Sequence, residues 1–285
     1  MTKTAKMALV ALCLFQVTTP SLAGDRLLAT GGIMQLEGSA GGGLTPWAAI
    51  AGLGTEDEIG ASAFCTHVKP QDFKLDSCGV AAGLYDRIEL SVARQRFNLG
   101  STAPGQNIDQ TIIGGKVRLF GNVVFDQDTL LPVVALGVQY KHNSDFDFIP
   151  RALGARHAAG TDVYLAATKV WLDGPFGRNW LADFTLRETS ANQMGILGFG
   201  GPDGNYHLMA EGSVGLFLTD NVVFGGEYRE KPNNLAVFRE DDFKDVFLSF
   251  IPMKYFSVTI AYVDLGNIAN RPHQAGSYVS LQGSW

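Results

Sequence analysis

Charge, cysteine and long apolar runs are all scarce in this 285-residue chain. Only 18% of residues are charged, and Lys plus Arg (22) are outnumbered by Asp plus Glu (28). That balance excludes a nucleic-acid binder, which needs a basic face. Past the N-terminal leader no stretch offers the roughly 18 apolar residues of a membrane-spanning helix. No linker, low-complexity tail or break in composition divides the chain, so a single domain is expected.

The leader reads as a secretory signal peptide, 1–23. Lys3 and Lys6 form its charged region, Met7 to Val17 its apolar core, and Ser21-Leu22-Ala23 its small-residue cleavage site. The single mature domain is then 24–285. Cys13 lies in the apolar core after Leu12, a poor lipidation signal, and leaves with the leader. Cleavage removes two lysines and no acids, so the mature net charge is 20 − 28 = −8.

Glycine (34) and aromatic residues (11%) are plentiful, yet mean hydropathy is close to zero. A β-barrel in lipid alternates apolar-out with polar-in and averages to that value. The last ten residues, Gly276–Trp285, show the alternation most clearly. Val279, Leu281, Gly283 and Trp285 fall on one face, and Tyr278, Ser280, Gln282 and Ser284 on the other. A chain ending on an apolar-face aromatic looks like the closing strand of a bacterial outer-membrane barrel. Its expected partner is the barrel-insertion machinery, through Gly276–Trp285.

Candidate strands recur to the end: 30–39, 44–54, 58–67, 74–84, 87–97, 110–120, 131–142, 161–172, 179–188, 206–218, 221–230, 243–251, 255–265 and 276–285. Their connections alternate short and long. Thr55–Asp57, Tyr85–Asp86, Asp173–Arg178, Thr219–Asn221 and Pro252–Lys254 are short, with a somewhat longer one at Gly121–Leu130. Asn98–Asp109, Asn143–Gly160, Thr189–Asn205, Lys231–Asp242 and Gly266–Ala275 are long, with a brief one at Val68–Phe73. Turns at one end and loops at the other are what an all-β antiparallel transmembrane barrel requires. With both termini on the periplasmic side, the count is fourteen strands. Twelve is the fallback, because Gly38–Gly43 weakens the first pair.

Alternation places Glu89, Lys116, Arg118, Asp162, Asp183, Arg187, Glu211, Glu227 and Arg229 in the lumen. Such charges act as a selectivity filter, or as a salt-bridged filling that plugs the barrel. A three-residue turn, Thr219–Asn221, would set Leu218 opposite Val222, Leu216 opposite Phe224 and Glu211 opposite Arg229. Pairing Leu84 with Ile88 keeps Val80 and Val92 outward. The same register carries Lys74, Asp76, Arg94 and Arg96 beyond the apolar band, where Lys74, Arg94 and Arg96 meet lipid phosphates, lipopolysaccharide included, or alternatively form a solvated rim. A loop centred between Gln71 and Asp72 sets Cys65 opposite Cys78. In an oxidising compartment they form a disulfide or, alternatively, remain two lipid-facing thiols.

Four segments carry a family resemblance. They are Gly38-Ser-Ala-Gly-Gly-Gly-Leu-Thr-Pro-Trp47, Lys116-Val-Arg-Leu-Phe-Gly121, Glu227-Tyr-Arg-Glu-Lys-Pro-Asn-Asn-Leu235 and Ala261-Tyr-Val-Asp-Leu-Gly-Asn-Ile268. Across essentially the whole mature chain the sequence resembles an uncharacterised family of proteobacterial outer-membrane proteins, domain of unknown function 3034. The resemblance implies a barrel in the cell outer membrane and adds no ligand or catalytic residue.

Three further patterns stand out in the sequence. His67, His142, His157, His207 and His273 all lie at or near outer loops, but without metal-ligand spacing, so a polar rim is expected and no metal or cofactor. Met194–Gly204 is an apolar, Gly-rich outer segment that folds inward as a constriction, offers a greasy entrance to a hydrophobic substrate, or packs on its neighbours. His142-Asn143-Ser144 brings Ser near His in sequence without the convergence nucleophilic catalysis needs. The expected function is passage or binding of a small solute through a charge-lined lumen, without enzymatic activity. The alternatives are a plugged barrel whose loops bind a partner, and a lipid-modifying enzyme.

Overall fold

The structure, a computed structural model, describes residues 32–123, 126–202 and 206–285. The signal peptide expected at 1–23 lies outside them. A short hairpin comes first, β1 (Ile33–Met34) with β2 (Ala40–Gly41). Among the described residues twelve longer strands follow: β3 (Ile59–Lys69), β4 (Lys74–Leu84), β5 (Ile88–Asn98), β6 (Asn107–Phe120), β7 (Val133–Asn143), β8 (Ala159–Gly174), β9 (Arg178–Thr189), β10 (His207–Thr219), β11 (Val222–Arg229), β12 (Phe243–Met253), β13 (Phe256–Asp264) and β14 (Ala275–Ser284). Each is antiparallel to its neighbours, and β14 closes on β3. The wall is a twelve-stranded barrel, and the preferred count of fourteen is corrected.

The correction concerns 30–39 and 44–54, whose described parts lie inside the barrel and not in its wall. A wall strand shows alternating exposure; here residues 33–53 are buried whichever way their side chains point. Pro46 was a signal against a wall strand, since proline cannot donate to a ladder. So was the run of small residues Ala48-Ala49-Ile50-Ala51-Gly52, which offers no polar alternate face.

Elsewhere the alternation holds. The exterior row Val80–Val92–Ile113–Tyr140 runs unbroken across β4 to β7. One step toward the loop end it becomes Cys78–Arg94–Thr111–His142, and one further Asp76–Arg96–Asp109. Tyr140, Tyr228 and Tyr262 stand exposed toward that end, and Tyr85, Tyr255 and Trp285 toward the other. Two aromatic belts bounding an apolar wall are the signature of an interface with lipid on either side.

Register follows side-chain pattern where a buried face must be kept. Leu84 pairs with Ile88, Leu216 with Phe224 and Glu211 with Arg229. Leu218 does not meet Val222: a bulge between Phe217 and Thr219 puts Thr219 there. The extra residue is absorbed at the strand end, where twist changes cheaply.

Candidate functional site: a lumen filled by its own hairpin

The hairpin enters from the turn end, where Gly32, Ile33 and Trp47 pack beside Leu181, Val223, Phe247 and Ile251. The Met34 N–H donates to Gln282 Oε1 at 2.8 Å. At its far end Leu36 and Leu44 join an apolar cluster with Leu75, Phe97, Phe243 and Tyr278 of the wall. The chain then returns, and the Leu53 N–H donates to the Trp285 carbonyl at 2.8 Å, just before β3 begins. Gly276–Trp285 therefore closes the wall and also clamps the end of the hairpin.

Beyond the two-residue ladder, the N–H groups of Gln35, Leu36, Gly38, Gly42 and Trp47 donate to carbonyls of the hairpin itself, and the other buried amides must find partners elsewhere. Wall side chains provide them. Glu227 accepts from the N–H groups of Gly43 (2.6 Å) and Leu44 (2.8 Å) and from Thr45 Oγ1 (2.7 Å). Glu89 accepts from the N–H groups of Ala40 (3.2 Å) and Ala51 (2.9 Å). Lys116 Nζ lies 3.1 Å from Glu89 and donates to the carbonyls of Ala40 (3.0 Å) and Trp47 (3.1 Å). Ser77 and Gln95 both donate to the Leu36 carbonyl, at 2.6 and 2.9 Å. A Cβ at Gly42 would land on the Glu227 carboxylate, so the glycine run is required for close approach as well as for turning.

Glu37, near the hairpin tip, is the hub of the charge network. Its carboxylate pairs with Lys141, with Arg229 Nη1 at 2.7 Å and with Arg187 Nη2 at 3.8 Å. Asp162 lies 2.6 Å from Lys141 and 3.3 Å from Arg187, and Glu211 binds Arg187 and lies 3.3 Å from Arg229. Three acids meet three bases, and each of the six is at least nine-tenths buried. Arg187 also lies over the Tyr164 ring, 5.0 Å from its centroid. A buried cluster of this kind need not add stability over apolar packing, but removing one member leaves an uncompensated charge.

Of the lumen residues expected from sequence, the structure gathers Asp162, Arg187, Glu211 and Arg229 around Glu37. It puts Glu89, Lys116 and Glu227 against the hairpin backbone. Asp183 meets hydroxyls, accepting from Thr168 at 2.6 Å and Thr185 at 3.1 Å, while Thr168 Oγ1 accepts from the Ala48 N–H. Arg118 stands apart at the turn end, paired with Asp86 of the β4–β5 turn at 2.7 Å. Glu37 is not legible as a lumen charge from sequence, because 30–39 reads as a wall strand. Lys141 alternates inward in the sequence, but its partners come from the hairpin and from β8 and β9.

The opposite mouth is covered by outer loops. Residues 190–201 turn inward and are buried throughout. Gln110 donates to the Met194 carbonyl at 3.1 Å and Asn143 to the Ile196 carbonyl at 2.6 Å, both from the lumen face of the wall. Met194–Gly204 thus both folds inward and packs on neighbours over its described part, through Met194, Ile196 and Leu197 beside Phe146 and Leu235. Its last residues, 203–204, lie outside the described set.

This lid is stitched to two other loops around a buried pair within the β11–β12 loop, Lys231 Nζ and Glu240 Oε2, 3.1 Å apart. Lys231 also donates to Gln193 Oε1 at 3.4 Å and to the Leu265 carbonyl at 3.3 Å. Gln193 donates to Glu240 and, at 2.9 Å, to the Asn267 carbonyl. Burial, opposed by Lys231, pushes the Glu240 carboxyl up to about 6, and burial pushes the Lys231 ammonium down. A carboxyl raised in the closed state stabilises that state fully below its exposed pKa of about 4.5, and this is lost as pH rises through 6. Limited proteolysis of the outer loops should therefore be slower at pH 4.5 than at pH 7.5, and Glu240→Gln should abolish the difference. Equal rates in the unaltered protein would refute the assignment.

On the exterior, Cys65 and Cys78 face each other across β3 and β4 with Cα atoms 4.1 Å apart, joined as a disulfide. The bridge closes a short hairpin, so by loop entropy it contributes about 3 kcal/mol at most. Non-reducing mass spectrometry should find no alkylatable thiol in the mature protein; two free thiols would contradict the pairing. Lys74, Arg94 and Arg96 are exposed on the wall. His67 is bonded to Asp76 and His207 to Asn234, at 2.6 and 2.8 Å. His142, Ser144 and His157 line an open groove of about 550 Å³ with Asp147, Arg151 and Arg156. The alternation that sends His142 outward sends Asn143 into the lumen, and among the described residues no hydrogen bond joins Ser144 to a histidine ring.

A closed antiparallel wall, apolar outside between two aromatic belts and polar within, defines a transmembrane β-barrel of the outer-membrane type. Residues 30–282 match the family described as "Protein of unknown function (DUF3034)", and the chain belongs to that family. Among solved structures, the outer membrane protein Omp33 of Acinetobacter baumannii is similar at 10% identity and a TM-score of 0.42, over 81% of this chain and 99% of that one. The outer membrane phospholipase A of Escherichia coli is similar at 9% identity and a TM-score of 0.37, over 81% of this chain and 96% of that one. No curated protein matches the chain.

Proposed function

We propose that the protein resides in the cell outer membrane as a sealed barrel, with its loops and outer wall as working surfaces and no catalytic role. The observation that carries this reading is Glu37, seated among Lys141, Arg187 and Arg229. The charges that would filter a solute in an open lumen are instead spent on the hairpin. Passage of a solute would require Glu37 to leave and three buried cations to find other partners, a costly step. Gly276–Trp285 serves as the strand read by the insertion machinery. Planar-bilayer recording of the full mature protein tests the reading. The expected trace is silent across ±100 mV, on the scale of a membrane potential; a steady ohmic conductance would favour passive passage and overturn the sealed barrel.

A further inference from the structure

The outer wall changes character abruptly at one level. On β4 to β7 the apolar row ending at Tyr140 is followed, one step outward, by Arg94 and His142, and then by Asp76, Arg96 and Asp109. Tyr140 marks where lipid tails give way to headgroups, since tyrosine favours that boundary. Lys69 and Lys74 stand exposed above it on β3 and β4. The basic groups are therefore held at the depth of the outer headgroups.

Their acid partners do not cancel them. Asp109 serves two arginines at once, lying 3.0 Å from Arg94 Nη2 and bonded to Arg96 through Nε and Nη2, each at 2.8 Å. Asp76, directly opposite Arg96 in register, is turned to His67 at 2.6 Å instead. In the cross-strand rows Lys69, Lys74, Arg94 and Arg96 outnumber Asp76 and Asp109 by two, and with Asp145 of the following loop, which accepts the Asp109 N–H at 2.7 Å, a basic excess of one remains. The Arg94 and Arg96 side chains remain 68% and 55% exposed, so their forks stay open to a ligand. The Cys65–Cys78 bridge lies in the same cross-strand row as Arg94 and ties β3 to β4 beside it.

We infer that this ledge binds the phosphate groups of a phosphorylated glycolipid of the outer leaflet, with Arg94 and Arg96 as the forked donors and Lys74 above them. Arginine suits the task because its planar fork meets two phosphate oxygens together. Asp109 competes with the phosphate for both guanidiniums. The inference rests on the membrane placement proposed above and not on whether the lumen is sealed.

Native mass spectrometry of the full mature chain, with bis-phosphorylated lipid A or its dephosphorylated form, tests it. The phosphorylated lipid should be retained on the order of tenfold more, and the Arg94→Gln/Arg96→Gln variant should lose that preference. Asp109→Asn should raise retention, an outcome that arginines serving only a surface ion pair would not produce. Both sites are on the exterior, and heat-modifiable gel mobility checks that each variant is a folded barrel. Equal retention of the two lipids, no effect of the double substitution, or competition by millimolar inorganic phosphate to the same extent as by lipid would each overturn the assignment. Conductance silence with equal lipid retention would overturn the ledge alone; ohmic conductance with selective retention would overturn the sealed lumen alone.

Discussion

Removal of residues 33–50 is expected to turn a silent barrel into a conducting one. The hairpin fills the lumen from the turn end to the level of Leu36 and Leu44, and it contributes those two side chains to the apolar cluster at the outer mouth. Without it, Glu89, Lys116, Asp162, Arg187, Glu211, Glu227 and Arg229 face a cavity that water will enter, because unpaired charges demand solvation. The wall lining left behind is acidic on balance. Glu89, Asp162, Asp183, Glu211, Glu227 and Asp245 face Lys116, Lys141, Arg187 and Arg229. Single-channel recording should accordingly show openings that favour cations, interrupted by closures from the outer lid, which keeps its bonds to Gln110 and Asn143. A silent deletion variant with native heat-modifiability would mean that the lid, and not the hairpin, seals the barrel.

The second large effect is expected at Glu37. Glu37→Ala removes the one acid shared by Lys141, Arg187 and Arg229, leaving Asp162 and Glu211 to satisfy three buried bases. Breaking a buried ion cluster by deleting one partner costs about 3–5 kcal/mol, most of it the desolvation of the orphaned charge. Urea unfolding in detergent should show a loss of that order, whereas Lys244→Ala, an exposed position on the wall of β12, should change stability by no more than about 0.5 kcal/mol. Pairing Glu37→Ala with Lys141→Met, which restores equal numbers of acids and bases, should recover much of the loss. A Glu37→Ala protein as stable as the parent would remove the hub from its central place.

The two effects act on different terms. Deleting the hairpin takes away the filling and leaves a wall that can be hydrated. Changing Glu37 keeps the filling and frustrates it, so water has little room to compensate. Stability should thus fall more per atom removed at Glu37 than for the whole hairpin, and conductance the other way about.

Much of this architecture could be read without coordinates. Period-two alternation in Phe256–Asp264 and Gly276–Trp285, and turns sorted to one end, are properties of neighbouring residues, so the sequence shows them directly. The pairings of Cys65 with Cys78 and Glu211 with Arg229 followed from loop centres plus the need to keep apolar faces outward. What sequence could not separate was a wall strand from an extended segment inside the wall. Residues 33–54 have local conformations available to either, and the difference lies in what satisfies their backbone: a ladder in one case, Glu227, Glu89 and Lys116 in the other. Glu37 meets Lys141, Arg187 and Arg229 from strands more than 100 positions away. Side-chain alternation determined which charges point inward; only closure of the barrel around the hairpin decided which of them would meet, because those contacts form across the lumen and not along the chain.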